Sequence, residues 1–346
     1  MIEICGVWKI FGHRSEDASR TITSENLSKE EALARFGAVV GVRNASLQVE
    51  EGEIFCIMGL SGSGKSTLVR HINRLIEPSA GRIFVEGIDV GALPPRELRE
   101  LRSNKIGMVF QNMALLPHRN VRDNVAFPLE LRNVDEFTRS LAADRLIETV
   151  SLQGYGDRMP SELSGGMQQR VGLARALAAD PTILLMDEPF SALDPLIRRG
   201  LQDEFLALSR TMKKTTLFIT HDLDEAIRIG SRIAIMKDGE IVQTGTPEEI
   251  VTAPATPYVA EFVRDVSKLK LVLAHSIMTP LARYQSDTSH SMAHKAWLSA
   301  RATDNLDTLI GLAIQGDDPI LIEDDGTPIG VVTRTDLLRG IRGADT

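Results

Sequence analysis

The sequence predicts an α/β domain whose helices pack on a largely parallel sheet, followed by a smaller α+β domain. Three observations carry this reading. Glycine and proline punctuation separates alternating strand and helix candidates from residue 3 to about residue 262. Four short apolar runs, at 54–58, 106–110, 183–186 and 216–219, read as strands buried on both faces. At 346 residues the chain exceeds the roughly 250 at which a single core stops growing, so a second domain is expected.

Composition narrows the function classes. Hydrophobic content of 43% and charged content of 25% suit a folded globular chain and argue against a disordered or fibrous one. The net charge of −8, from 47 carboxylates against 39 Lys and Arg, supplies no general attraction to nucleic acid. Cys5 and Cys56 lie far apart, and Cys56 sits in the apolar run 54–58, which predicts a buried thiol rather than a disulfide. No apolar run approaches the roughly 18 residues needed to cross a bilayer, and the N-terminus lacks a basic flank followed by an apolar signal core. Any membrane role is expected to be peripheral. There is no repeat of 20 to 50 residues and no low-complexity tract.

Along the chain, the polar stretch 13–36 interrupts what should be an edge sheet, and within it Ser28 and Glu31 stand at capping-box spacing. The run Gly59-Leu60-Ser61-Gly62-Ser63-Gly64-Lys65-Ser66-Thr67 follows an apolar strand and opens a helix, the context a phosphate-binding loop requires. Its glycines let consecutive N–H groups point at phosphate oxygens, and the helix start adds favourable potential. Lys65 would reach the β- and γ-phosphates, and the Ser66 hydroxyl would hold the Mg²⁺ that bridges them. Further on, Ile183-Leu184-Leu185-Met186 runs into Asp187-Glu188-Pro189, placing two carboxylates at the C-terminal end of a buried strand. Asp187 would hold the Mg²⁺ through its water shell, and Glu188 would polarise the attacking water. Leu163-Ser164-Gly165-Gly166-Met167-Gln168-Gln169-Arg170 is a second anion-binding helix start, without a lysine.

That last segment resembles the LSGGQ signature of ATP-binding cassette (ABC) ATPases, with Met167 in place of the motif's glutamine. The resemblance covers about residues 2 to 262. It implies a P-loop NTPase with a RecA-like core sheet, an antiparallel β subdomain and a helical subdomain at about 112–180. It also implies a head-to-tail homodimer that sandwiches two ATP molecules. In that dimer Ser164, Gly165 and Gly166 of one copy close over the γ-phosphate held by the other copy's Lys65 and Ser66. Gln111 resembles the glutamine that senses Mg²⁺ and the lytic water beside the permease contact. Asp194, in Ser191-Ala192-Leu193-Asp194, resembles the aspartate that crosses the dimer interface, and His221 resembles the switch histidine that orients Glu188. In the adenine-stacking region Val7-Trp8-Lys9-Ile10-Phe11-Gly12, Phe11 is favoured over Trp8.

Chromosome-associated cassettes insert a long coiled coil before the LSGG segment, and translation-factor cassettes carry two ATPase units. Neither pattern is present here. The insertion, the string Asn73-Arg74-Leu75-Ile76-Glu77-Pro78 and Asp194-Pro195-Leu196-Ile197-Arg198 resemble the importers of glycine betaine, proline betaine and choline. This implies a peripheral subunit at the cytoplasmic face of the membrane, with permease subunits and an exported substrate-binding protein as partners. An importer of another small solute, such as an amino acid or a different osmolyte, is the alternative; a non-transport cassette ranks behind it.

After a linker at 263–275, the tail at 276–346 resembles one CBS-like module. Ile320-Leu321-Ile322 and Ile329-Gly330-Val331-Val332 flank a hairpin turn at Asp324-Asp325-Gly326-Thr327-Pro328. Such modules pair, and three roles stay open: adenine-nucleotide binding through Thr333 and Asp336, ionic-strength sensing, or dimerisation alone. His290 and His294 have the i, i+4 spacing of a metal pair but no third ligand nearby, which favours a solvated polar segment.

Overall fold

The computed structural model describes all residues except 13–15, 113, 192, 265, 288–296 and 343–346. It divides into two compact units, Met1–Thr244 and Gly245–Thr346.

The first unit is built on a six-stranded sheet in the order Glu240–Gly245, Arg232–Lys237, Ile54–Met58, Thr215–Thr220, Ile183–Asp187, Ile106–Val109. The pairings among the last five strands are parallel. Every residue of Ile183–Asp187 and Thr215–Thr220 is buried, which is why these strands read as unbroken apolar runs rather than as an alternation. The four expected strands are present with ends shifted by one residue at most, and Arg232–Lys237 and Glu240–Gly245 join them.

A second, antiparallel sheet runs Val39–Val49, Ile2–Phe11, Ala80–Val85, Ile88–Asp89. Its Ile2, Ile4, Val42 and Val85 share one core with Phe55, Ile57, Leu185 and Leu217 of the parallel sheet. The stretch 13–36 connects the first two antiparallel strands and carries the helices Glu16–Ser24 and Lys29–Phe36. Ile22, Leu27 and Ala32 close a small core over Trp8, Ile10 and Val40. The predicted capping box forms: Glu31 N–H donates to Ser28 Oγ at 3.2 Å and Ser28 N–H to Glu31 Oε2 at 2.8 Å. Gly37, at φ 63°, ends the second helix in the left-handed conformation.

Three helices, Val121–Leu131, Glu136–Thr149 and Gly165–Leu177, pack through Val121, Val125, Ala143, Ile147 and Val171. Asn120, Asp135 and Ser164 cap them in turn, each accepting from a backbone N–H three residues on.

The second unit holds a four-stranded sheet, ordered Thr279–Pro280, Thr327–Val332, Ile320–Asp324, Ser299–Arg301. The hairpin turns through Asp325 (φ 45°) and Gly326 (φ 78°), the left-handed pair that a two-residue hairpin needs. Val272, Leu306, Leu309, Ile322 and Val332 form its core. It begins at Gly245, ahead of the expected boundary at 262. The helices Pro247–Thr252 and Pro257–Val263 therefore group with the tail. Nor is 263–275 a free linker, because Val272 and Ala274 are buried. Glu248 explains the shift: its carboxylate accepts from Leu273 N–H at 2.9 Å and from the Ser276 hydroxyl, contacts that no local pattern announces.

Candidate functional site

The strand Ile54–Met58 delivers the glycine-rich loop to the C-terminal end of the parallel sheet, and the helix Lys65–Ile72 leaves it. Gly64 precedes that helix at φ 102°, and a Cβ there would strike the Gly41 carbonyl, so glycine is required on both counts. Lys65 lies folded inside the loop, donating to the Gly59 carbonyl at 2.8 Å and the Leu60 carbonyl at 3.0 Å. Burial holds its ammonium below the ordinary lysine value, opposed by the attraction of Glu188 and Asp187.

Asp187 ends its strand fully buried. Its Oδ1 accepts from the Ser66 hydroxyl at 2.7 Å and its Oδ2 from Arg70 Nη2 at 3.0 Å. A buried carboxylate joined to a hydroxyl is a hard-oxygen pair of the kind that suits Mg²⁺. Glu188 is a non-glycine residue at φ 48°. This sparsely populated conformation is anchored by its N–H donating to the Ile219 carbonyl at 3.1 Å and by Ser191 Oγ donating to its own carbonyl at 3.1 Å. It turns the Glu188 carboxylate off the strand line, where Oε2 accepts from Gln111 Nε2 at 3.2 Å and from His221 Nδ1–H at 3.1 Å. A carboxylate with two fixed donors on one oxygen keeps its other oxygen available to a water proton.

One cavity of about 510 Å³ is walled by Leu60, Ser61, Gly62, Gly64, Lys65, Ser66 and Thr67 together with Gly41, Gln111, Glu188 and His221, with Asp187 behind Ser66. Gly59 and Ser63 stand behind that wall, Gly59 as the acceptor for Lys65 and Ser63 buried at 5% exposure. The two aromatic candidates separate cleanly. Trp8 is 4% exposed within the small core, whereas Phe11 is 40% exposed. The Phe11 ring lies against Gly41, where a Cβ would come within 2.7 Å of Cε2, and Lys9 Nζ sits 5.1 Å from its centroid.

Ser164, Gly165, Gly166 and Asp194 are not among the residues walling this cavity. Ser164 caps its own helix, Gly165 faces Leu193, and Gly166 packs under Ile197. Asp194 accepts from Leu196 N–H at 3.2 Å and Ile197 N–H at 3.1 Å, capping the helix Pro195–Met212. Met167 is partly buried against the core of the three-helix group.

The sequence reading missed Gly41 and Arg70 as site residues. Neither has a local signature, since their contacts lie 30 and 117 residues away. In the second unit, Thr333 and Asp336 bind each other: Asp336 Oδ2 accepts from Thr333 Oγ1 at 2.6 Å and Thr333 N–H at 2.9 Å, and Asp336 N–H donates to Thr333 Oγ1 at 3.2 Å. That reciprocal pattern is a helix cap. His290 and His294 lie outside the described residues. Cys56 is buried, as expected, and burial pushes its thiol well up. Among the described residues no helix is long and apolar enough to cross a membrane, and no three His, Cys, Asp or Glu form a metal cluster.

Comparison with known proteins gives a consistent pattern. Residues 42–191 match the family model described as ABC transporter. The chain is 54% identical over 80% of its length to the glycine betaine/carnitine transport ATP-binding protein GbuA of Listeria monocytogenes, covering 70% of that protein. It is 53% identical to the glycine betaine/proline betaine transport system ATP-binding protein ProV of Escherichia coli, with 80% of this chain and 69% of the relative aligned. The trimethylamine N-oxide transport system ATP-binding protein TmoW of Ruegeria pomeroyi is 54% identical over 79% of this chain and 80% of its own. Among solved structures, a dimeric post-hydrolysis ATP-binding cassette bound to ADP and Pi superposes with a TM-score of 0.61 at 31% identity, covering 71% of this chain and 99% of the other.

Proposed function

Because the chain belongs to the ATP-binding proteins of ABC transporters, we propose that it hydrolyses ATP to energise uptake of a quaternary ammonium or related methylated-amine solute through separate permease subunits. The observation that carries the catalytic part is the Glu188 carboxylate, held by Gln111 and His221 at the edge of the loop cavity.

In this reading the triphosphate lies along the loop amides, with the adenine ring on Phe11. Lys65 exchanges its carbonyl partners for β- and γ-phosphate oxygens, contacts that its withdrawn position already anticipates. Ser66 and Asp187 would hold Mg²⁺, whose chemistry when bound is to neutralise charge on the β- and γ-oxygens. Glu188 orients a water in line with the γ-phosphorus and accepts its proton, while His221 and Gln111 keep the carboxylate aimed. The second helix start, Ser164 to Gly166, serves the site of a partner copy, since in this chain it lies apart from the cavity. Asp194 stands at the same face and links the two sites.

The subunit works at the cytoplasmic side, where ATP is available, with an exported binding protein feeding the permease. The second unit is a CBS-like module whose Thr333–Asp336 cap favours a structural or pairing role over ribose binding. Reconstitution of the whole transporter in vesicles, with labelled glycine betaine, choline, trimethylamine N-oxide and an amino acid as competing cargoes, tests the assignment. ATP-dependent uptake of the methylated amines is expected. Uptake of the amino acid alone would transfer the assignment to the alternative cargo class.

A further inference from the structure

The stretch 13–36 is the one motif that the catalytic reading leaves without work, and its second helix begins at Lys29, whose ammonium donates to the Gly62 carbonyl at 3.2 Å. Gly62 belongs to the phosphate loop and lines the cavity. The same ammonium lies 3.8 Å from Asp238 Oδ1, at the turn between the strands Arg232–Lys237 and Glu240–Gly245. That turn grips the loop one residue further on, because Gly239 N–H donates to the Ser63 carbonyl at 3.0 Å. A second tie runs from the insertion to the same turn: Arg43 Nη2 donates to the Asn26 carbonyl, and Arg43 N–H donates to the Gly239 carbonyl at 2.8 Å.

Two consecutive loop carbonyls are thus held from outside, one by the insertion and one by the turn that the insertion touches. In a planar trans peptide the carbonyl of one residue fixes the direction of the next residue's N–H. Lys29 therefore holds the Gly62–Ser63 peptide at its carbonyl end, as the Leu60 carbonyl holds its N–H end at 3.2 Å, and Gly239 holds the carbonyl end of the Ser63–Gly64 peptide. A loop that binds phosphate through its amides gains affinity when those peptides are oriented before the ligand arrives. The Lys29 side chain is 23% exposed, and the capping box starts the helix at this residue, so the ammonium is aimed by folded structure.

We propose that the insertion is a brace for the phosphate loop and that Lys29 is a positioning residue that sets the affinity for nucleotide without taking part in hydrolysis. This rests on the reading of the cavity as the nucleotide site. The full chain is assayed in complex with its permease for steady-state ATPase, and alone for MgATP and MgADP binding. Loss of one partly exposed charge-assisted bond corresponds to about a three- to tenfold rise in both KM for ATP and Kd in Lys29→Met, with kcat within about twofold. Lys29→Arg restores affinity, since its guanidinium donates to the same carbonyl, and the thermal midpoint of Lys29→Met stays at the wild-type value. Asp238→Asn, which loosens the hold on Lys29 from the other side, gives a smaller rise in the same direction and serves if Lys29→Met fails to fold. Unchanged KM and Kd in both variants would overturn the proposal, and so would a Lys29→Arg chain as impaired as Lys29→Met. A wild-type chain that bound no nucleotide would instead overturn the underlying site assignment.

Discussion

Two glycine-bearing helix starts in this chain look alike as sequence and differ as structure. At Gly64-Lys65 the cavity is lined by an ammonium, a hydroxyl backed by the buried Asp187, and an aimed glutamate. At Ser164-Gly165-Gly166 the Ser164 hydroxyl caps its own helix, accepting from Met167 N–H at 3.4 Å, and the glycines face Leu193 and Ile197. The first has the charges that phosphate chemistry requires. The second, Ser164-Gly165-Gly166, offers amides and a hydroxyl but has no lysine in its own run, so its use depends on charge brought by something else. The difference teaches that a helix start is a partial site, and that the residues converging on it decide whether it can work alone.

Four substitutions can break or sharpen that contrast. Glu188→Gln leaves the first start able to bind but removes its proton acceptor, so kcat in the assembled transporter falls by about 10²- to 10⁴-fold while nucleotide Kd is retained, as single-turnover assays would read. Lys65→Ala removes the charge that separates the two starts; isothermal titration should show MgATP affinity reduced by about 10- to 100-fold. In Gly165→Asp the added Cβ meets Leu193 Cδ2 at 3.8 Å, an ordinary contact. The substitution places an anion where a partner's phosphate would come, so ATPase drops by about tenfold or more while the isolated chain's Kd holds. Equal loss of both quantities would erase the distinction. Phe11→Ala weakens binding by about tenfold through lost base stacking, which fluorescence titration with a nucleotide analogue can follow.

A third helix start supplies the smallest effect. Thr333 and Asp336 satisfy each other, so Thr333→Val should cost about 1 kcal/mol of stability in denaturant unfolding and leave nucleotide binding at the wild-type level.

How much of this was legible depended on whether the signal was local. Strands buried on both faces, such as Ile183–Asp187, announce themselves as apolar runs; the phosphate loop, Asp187, Glu188, Gln111 and His221 follow each from a strand end. Phe11 against Trp8 was legible as a pair, and burial separated them, because Trp8 closes a core that only the folded insertion creates. The strand Arg232–Lys237, with Ile233-Ala234-Ile235-Met236 buried at its centre, adds a fifth parallel strand that the four runs did not include. The grouping of Glu248 with the tail was not legible, because it reaches to Leu273 and Ser276 across 25 and 28 residues. Arg70 on Asp187 and Lys29 on Gly62 were hidden for the same reason, since their partners lie 117 and 33 residues away and no periodicity encodes such pairs.

The central claim is that the lysine-bearing start of one copy and the Ser164 start of another complete a single site. Sedimentation of the full-length Glu188→Gln chain with MgATP, set against MgADP, measures this directly. The account predicts an ATP-dependent dimer that retains two nucleotides and that Gly165→Asp abolishes. A chain that stays monomeric with saturating MgATP bound, or a dimer indifferent to Gly165→Asp, would contradict it.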